Sequence, residues 1–210
     1  MYKVLFVILI IILVCILYFI IKFKKASYGG YDKNKHVVID SLNLTHYLTD
    51  NKHKITISEI NNTIDKTSII LRAKYPGQVM YVVKGQETKH IEKDDLLLFA
   101  NTAKRNKVNI YVIERYTNEQ HTQHMQHTQH TQHVQLGRDD YYMGLLANRY
   151  NCPVLSEDHF RDWNKLKASL SPFYVYEYRY YRDYPTREYI KPIVLNIPRP
   201  NHIKFSTIIS

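Results

Sequence analysis

Residues 36–44 read His36-Val37-Val38-Ile39-Asp40-Ser41-Leu42-Asn43-Leu44, or HVVIDSLNL, and this stretch sets the fold. A short apolar run, Val37 to Ile39, ends on an aspartate, and an asparagine follows three positions later. Such a run suits a strand buried on both faces of a parallel sheet. An ionised carboxylate at its end is expensive to bury without a partner, so Asp40 calls for a functional explanation.

Outward from this strand, hydrophobic runs of strand length alternate with segments of helical period. Strands are expected at about 36–40, 78–83, 108–113, 152–156 and 173–178, and helices at about 58–74, 94–106, 138–151 and 159–170. That alternation marks an α/β domain with a mostly parallel central sheet and helices on its faces. In the first helix Ser58 is placed to cap, Ile60, Ile64, Thr67, Leu71 and Tyr75 recur on one side, and Pro76-Gly77 stops it. The second is expected to turn Leu97, Leu98 and Ala100 inward. The third carries Met143, Leu146, Ala147 and Tyr150, and the fourth Phe160, Trp163, Leu166 and Leu170.

Ligands of open parallel sheets bind beyond the carboxyl ends of the strands, where helices leave to opposite faces. Asp40 lies at such an end. PVLSEDHFRDW (153–163) puts Asp158 just past the fourth strand and Asp162 one helical turn later, and GRDDYYMGLLA (137–147) brings Asp139 and Asp140 to the start of the third helix. With no Lys or Arg interleaved, these carboxylates repel one another, and a hard divalent cation, Mg²⁺ or Mn²⁺, is the partner their oxygens suit. The implied reaction is metal-dependent hydrolysis of a phosphodiester. Four of the acids also have structural uses: Asp139 and Asp140 at the positive end of a helix dipole, Asp158 as an N-cap, Asp162 as a solvated first-turn acid. Asp40 has no comparable structural use in the sequence.

HVVIDSLNL and GRDDYYMGLLANRYNCPVLSEDHFRDW (137–163) resemble the opening strand and the DD and S-(N/E)-D-x-x-R-D blocks of the PIN-like NYN ribonucleases of the Regnase type. WNKLKASLSPFYVYEY (163–178) resembles the helix and strand that follow, so the resemblance spans most of residues 36 to about 180. It implies a three-layer α/β/α PIN-like domain and an Mg²⁺-dependent endoribonuclease that prefers single-stranded RNA. It also implies Asp40, Asp139, Asp140 and Asp158 as metal-holding and water-activating carboxylates, with Asp162 as a further acidic ligand or support. Asp40, Asp140, Asp158 and Asp162 are the implied metal ligands. Asn43 would orient Asp40 or contact substrate, Ser156 would support the site by hydrogen bonding, and Arg161 would pair with a site carboxylate or a phosphate. Ser41 fits the small residue the family carries after the first aspartate, whereas Leu42 departs from the small polar residue expected next. The CCCH zinc finger common in Regnase-type proteins is missing from this sequence.

Residues 4–21 run for 18 positions without a charge, enough to cross a bilayer core of about 30 Å as one helix. A cleaved signal peptide would carry a shorter apolar region and a small-residue cleavage site, whereas Lys22, Lys24 and Lys25 follow here and place the body of the chain in the cytosol. Cys15 falls in the span and leaves Cys152 alone, so no disulfide-linked partner is expected. Two glycosylation sequons, Asn43-Leu44-Thr45 and Asn61-Asn62-Thr63, fit the same side, because a glycan on Asn43 would block the site. The expected organisation is an anchor with basic flank (1–25), a linker (26–35), a nuclease domain (36–180) and a basic Tyr- and Pro-containing extension (181–210).

Lys and Arg outnumber Asp and Glu by 29 to 19, and the net charge of +10 suits a nucleic acid or an acidic membrane face. Part of that basicity, and of the tyrosine content, is codon bias of an AT-rich genome. Residues 119–136 repeat His, Gln and Thr with His at a three-residue period, either a metal-binding tract or a triplet expansion in a tolerant loop, the repetition of Gln and Thr favouring expansion. The tail YVYEYRYYRDYPTREYIKP (174–192) alternates tyrosines with Arg179, Arg182 and Arg187, as an RNA-stacking surface or as an edge strand packed on the domain. RNA and a membrane are thus the implied partners, and a homodimer is compatible with them. A haloacid-dehalogenase-type phosphatase would need a second acid where Leu42 stands. The two alternatives that remain are a membrane-tethered RNA-binding protein without catalysis and a structure-specific DNA nuclease.

Overall fold

The computed structural model describes residues 35–49, 55–84, 93–114, 137–161, 163, 172–192 and 197–209. In chain order they form β1 (Val37–Asp40), α1 (Ser41–Thr49), α2 (Ile57–Lys74), β2 (Val79–Lys84), α3 (Lys93–Asn106), β3 (Asn109–Ile113) and α4 (Arg138–Tyr150). Then come β4 (Val154–Leu155), β5 (Phe173–Tyr178), β6 (Thr186–Ile190), β7 (His202–Ile203) and a 3-10 turn at Phe205–Thr207. The strands make one seven-stranded sheet in the order β6-β5-β3-β2-β1-β4-β7. β1 runs parallel to β2 and β4, β2 to β3, and β4 to β7, while β5 is antiparallel to both β3 and β6. The α/β class and the mostly parallel sheet expected from the alternation of elements are what the chain forms.

Strand alternation splits the core into two apolar layers. On one face Val37, Ile39, Tyr81, Val83, Ile110 and Val112 pack against Leu44 of α1, Ile60, Ile64 and Leu71 of α2, and Phe99 and Ala103 of α3. On the other face Val38, Met80, Val82, Tyr111 and Ile113 meet Tyr141, Tyr142, Met143 and Leu146 of α4. Helices therefore cover both faces. The chain steps from β1 to β2 to β3 through helices on the first face, then returns through α4 on the second to lay β4 on the other side of β1. The winding reverses at β1, and the crevice this creates opens beside Asp40.

Local chemistry explains most boundaries. The N-cap of α2 is Thr56 rather than Ser58: the Thr56 hydroxyl accepts the Glu59 N–H (3.2 Å) and the Glu59 carboxylate accepts the Thr56 N–H (2.7 Å), a reciprocal capping box. The expected stripe Ile60, Ile64, Thr67, Leu71 and Tyr75 is buried. In α3 the inward stripe is Phe99, Thr102 and Ala103 with Ala100, as expected, partly buried against the same layer, whereas Leu97 is 61 % exposed and Leu98 36 %. Phe99 sets this rotation by packing on Tyr178 (ring centroids 6.1 Å), which turns Leu97 to the opposite side of the helix.

Two elements were not expected: α1 follows β1 without a loop, and β7 comes from the stretch read as an extension. β6, also within that stretch, is the edge strand that the alternation of residues 174–192 allowed. Phe205, in that same stretch, is fully buried under the first face. Residues 159–161 are not helical, and Phe160 takes a left-handed φ of 48°. The rest of the expected fourth helix, Trp163 apart, lies outside the described residues, as do the expected anchor 1–25, all but Lys35 of the linker, and the His/Gln/Thr tract at 119–136. Among the described residues no helix is long and apolar enough to cross a membrane.

α4 packs so closely on the Trp163 ring that a Cβ on Gly144 would overlap it. Trp163 is itself pinned by donating its indole N–H to the Ile197 carbonyl (3.1 Å). Alanine ordinarily favours a helix over glycine by about 1 kcal/mol, but overpacking here costs about 1–3 kcal/mol and dominates. Gly144→Ala should therefore lower the melting temperature by roughly 2–10 °C; an unchanged or raised value in a calorimetric scan would show that the ring does not occupy this place.

Candidate active site at the carboxyl end of β1

The strand β1 delivers Asp40 to the crevice, and the chain turns at once into α1. Asp40 is 6 % exposed. Its Oδ1 accepts the backbone N–H of Asn43 (3.1 Å), so Asp40 is the N-cap of α1. That corrects the expectation that this residue has no structural use: the use belongs to a helix the sequence did not announce. Its Oδ2 accepts the Asn43 side-chain amide (2.6 Å) and the Ser156 hydroxyl (3.0 Å). The Ser156 oxygen in turn accepts from the Asn43 amide (3.1 Å) and from the Asp158 backbone N–H (3.0 Å), which fills its one donor and two acceptor positions. Parallel pairing makes this possible, because Ile39 is level with Leu155 and the next step along both strands brings Asp40 level with Ser156.

α4 supplies the second group of acids. Gly137, at φ 99°, takes the left-handed N-cap position that glycine tolerates, and the first turn then carries Asp139 and Asp140, both half-buried at the positive end of the helix. Asp158 closes a local turn by accepting the Phe160 N–H (3.0 Å) and is exposed, so it caps a turn rather than a helix. Of the remaining expected site residues, Arg161 is exposed and makes no ion pair with these acids among the described residues, and Asp162 lies outside them.

The electrostatics show which acids have been brought together. Burial, reinforced by the nearby Asp139 charge, raises Asp40 to about 6, against the opposing effect of its hydrogen bonds from Asn43 and Ser156. Burial is also the largest cause that holds Asp140 well above the usual carboxylate range, followed by the charges of Asp139, Asp40 and Asp158. Asp40, Asp139, Asp140 and Asp158 thus lie within one another's fields at one end of the sheet.

One cation enters the group. Lys84, the last residue of β2, places its ammonium 3.8 Å from Asp139 Oδ2 and lowers Asp140 against the other influences. The expectation of carboxylates without a matching Lys or Arg was therefore incomplete. Lys84 was legible as a charge ending the buried run VMYVVK, two residues beyond Val82, the partner of Asp40 in the sheet. One lysine leaves the acids under-compensated, and their oxygen-only donors fit a hard divalent cation. Among the described residues, however, no three His, Cys, Asp or Glu side chains converge closely enough to form a ready-made metal cage.

Set against known proteins, the chain matches no family model, no curated protein and no solved structure. Its functional assignment rests on the site itself.

A folded carboxyl raised to about 6 keeps its proton between pH 4 and 6, where the unfolded carboxyl, with an ordinary value of 3.8, has lost it. The folded state then binds more protons, and stability falls as pH rises through that window. In EDTA the melting temperature should fall from pH 4 to pH 7 more steeply for the wild type than for Asp140→Asn, which removes one of the mutually repelling charges. At pH 7 that variant should melt a few degrees higher, about 1 kcal/mol in stability; equal pH slopes for the two proteins would show that the folded state does not raise Asp140.

Proposed function

We propose that the chain is a divalent-metal-dependent endoribonuclease that cuts single-stranded RNA or loops, held on a membrane by its N-terminal apolar segment with the catalytic domain on the cytosolic side. The observation that carries this assignment is the gathering of Asp40, Asp139, Asp140 and Asp158 at the switch point of a parallel sheet, with Asp40 and Asp140 both raised by burial first and by neighbouring carboxylates second. Proteins do not accumulate such repulsion in a crevice for stability, and perturbed acids in clefts mark functional sites. The resemblance of the Asp40, Asp139-Asp140 and Ser156-to-Asp162 blocks to PIN-like NYN nucleases supports the same assignment.

Asp40, Asp140, Asp158 and Asp162 would hold Mg²⁺ or Mn²⁺, which when bound supplies Lewis-acid stabilisation of the charge that develops on the phosphoryl oxygens. The protein's own groups do the rest. Asn43 and Ser156 fix both the position and the rotamer of Asp40 through three hydrogen bonds to its oxygens and one between themselves. Asp139, free of helix-capping duty, takes the proton of the attacking water. Lys84 draws the substrate phosphate toward the acids and keeps Asp140 ionisable near neutral pH, and the exposed Arg161 offers a bidentate phosphate contact at the rim. A cytosolic location is supported by the sequons: the Asn43 amide is engaged at the site, and Thr45, Asn61 and Thr63 are buried.

The deciding experiment incubates the full chain in detergent with labelled single-stranded RNA and matched DNA in Mg²⁺, Mn²⁺ or EDTA. RNA should be cut only with metal, and Asp140→Asn should reduce cleavage to background. Ser156→Ala should lose about 10–100-fold, the usual cost of removing a group that positions a ligand. Selective cutting of DNA would move the substrate class to DNA, and RNA binding with no cleavage under any metal would leave a tethered binder.

Lys84→Met separates the cation from the carboxylates. Without the ammonium Asp140 rises further, so the acidic limb of the pH–rate profile should move to higher pH while the plateau drops; an unmoved limb would remove Lys84 from the site's electrostatics.

A further inference from the structure

The β5–β6 ribbon carries chemistry that the carboxylate site does not use. β6 is an outer edge of the sheet, hydrogen-bonded to β5. Along one face of β5, Tyr178 is sealed under Phe99 of α3 at 2 % exposure. Tyr176 and Tyr174, two and four residues back on that face, are only half-buried. Opposite them on β6 stand Arg187, paired with Tyr176, and Tyr189, paired with Tyr174. Arg187 is exposed and Tyr189 is 55 % exposed.

These four side chains form one shelf. The Tyr174 and Tyr189 ring centroids are 5.1 Å apart. The Arg187 guanidinium lies 3.8 Å over the Tyr174 ring and 5.6 Å from that of Tyr176. Its fork is fixed by Glu114 Oε2, which accepts from Nε (3.1 Å) and Nη2 (2.7 Å). The guanidinium is thereby flat, immobilised and locally neutralised, suited to stacking rather than to holding a phosphate. The Glu114 N–H, just past the carboxyl end of β3, donates to the Tyr174 carbonyl (2.9 Å), so the shelf begins at the carboxyl end of the parallel strands, the end that also holds Asp40. Lys84 lies on the way, paired with Ile113.

We propose that this shelf stacks unpaired bases of the single-stranded RNA whose scissile bond lies at the carboxylates; the proposal rests on the nuclease assignment for its substrate. Cross-strand pairs would stabilise the ribbon without any ligand. Tyr178 shows how a tyrosine used for packing is treated in this sheet, and Tyr189 is left more than half open instead. Rings with wet edges beside a planar guanidinium on a chain of charge +10 fit bases on a polyanion.

The test measures fluorescence anisotropy of the full chain in detergent, in EDTA, with a labelled oligouridylate of about 12 nucleotides, a matched DNA and an RNA duplex. Tyr174→Leu with Tyr189→Leu should weaken single-strand binding about 10-fold or more, equally for RNA and DNA, with an unchanged salt slope because no charge is lost. Tyr174→Phe with Tyr189→Phe should bind as the wild type does, and Tyr189→Leu alone, at an exposed position, should show part of the loss in a protein that melts normally. The duplex should bind weakly to all of them. Leucine variants that bind like the wild type would overturn the shelf, as would an equal loss with phenylalanine. Because EDTA stops the chemistry, metal-dependent cleavage with shelf-independent binding overturns the shelf alone, whereas shelf-dependent binding without cleavage overturns the nuclease alone.

Discussion

Asp40 Oδ2 is the point on which the site depends. Two side chains donate to it, one from the first turn of α1 and one from just past β4, and those residues are 113 positions apart in the chain. A buried carboxylate tolerates burial only when its lone pairs are filled, and hydrogen bonds to a charged group contribute about 1.5–3 kcal/mol each. The same bonds fix where α1 starts and how β4 leaves the sheet. Ser156 then passes the constraint on, because its oxygen also accepts the Asp158 N–H and so places that acid. Geometry at the crevice is therefore set by satisfying one carboxylate.

What this arrangement costs is met elsewhere. Burial raises Asp40 from its ordinary 3.8 to about 6, worth about 3 kcal/mol at neutral pH, and the raised Asp140 adds to that cost. The two apolar layers carry that load. Val37, Val38 and Ile39 of β1 are fully buried, alternately against α1 and α2 on one face and against α4 on the other. A strand so enclosed can end on a strained acid without fraying, since its neighbours β2 and β4 hold the backbone on both sides. The close seat of Gly144 on Trp163 fixes α4 in the same way, and with it the first turn that presents Asp139 and Asp140.

The antiparallel ribbon changes the character of one side of the molecule. Parallel strands have both faces covered by crossover helices, as the first four strands here do. A hairpin needs no crossover, so β5 and β6 extend the sheet past the helices and leave a face of tyrosines and arginine open. At the other edge β7 adds a short parallel strand beside β4, and the Glu157 carboxylate accepts the Phe205 N–H (3.0 Å), tying the chain's last turn to the segment that carries Asp158. Both ends of the sheet are thus built from residues beyond 180.

The sequence by itself determined the local elements whose signals are short-ranged: the buried run of β1, the stripe Ile60-Ile64-Thr67-Leu71 of α2, the placement of Asp139 and Asp140 at the start of α4, and Asp40 at the end of a strand. It did not announce α1, because Ser41–Thr49 holds Thr45, His46 and Tyr47, weak helix formers whose helix is stabilised by the Asp40 cap and by Leu44 in the core. It mis-set part of the inward face of α3, because which of the five adjacent apolar residues Leu96–Ala100 turn inward depends on Tyr178, 79 positions beyond Phe99. Ser156 as a supporting group and the Tyr- and Arg-bearing tail were legible in the sequence, but the pairing of Ser156 with Asp40, of Lys84 with Asp139, and of Tyr174 and Arg187 with Tyr189 in one shelf was decided by the tertiary structure. The Asp40–Ser156 pair and the shelf join residues that sheet register brings level, and Lys84 meets Asp139 because α4 packs across β2; both depend on long-range pairing and packing that no local pattern encodes.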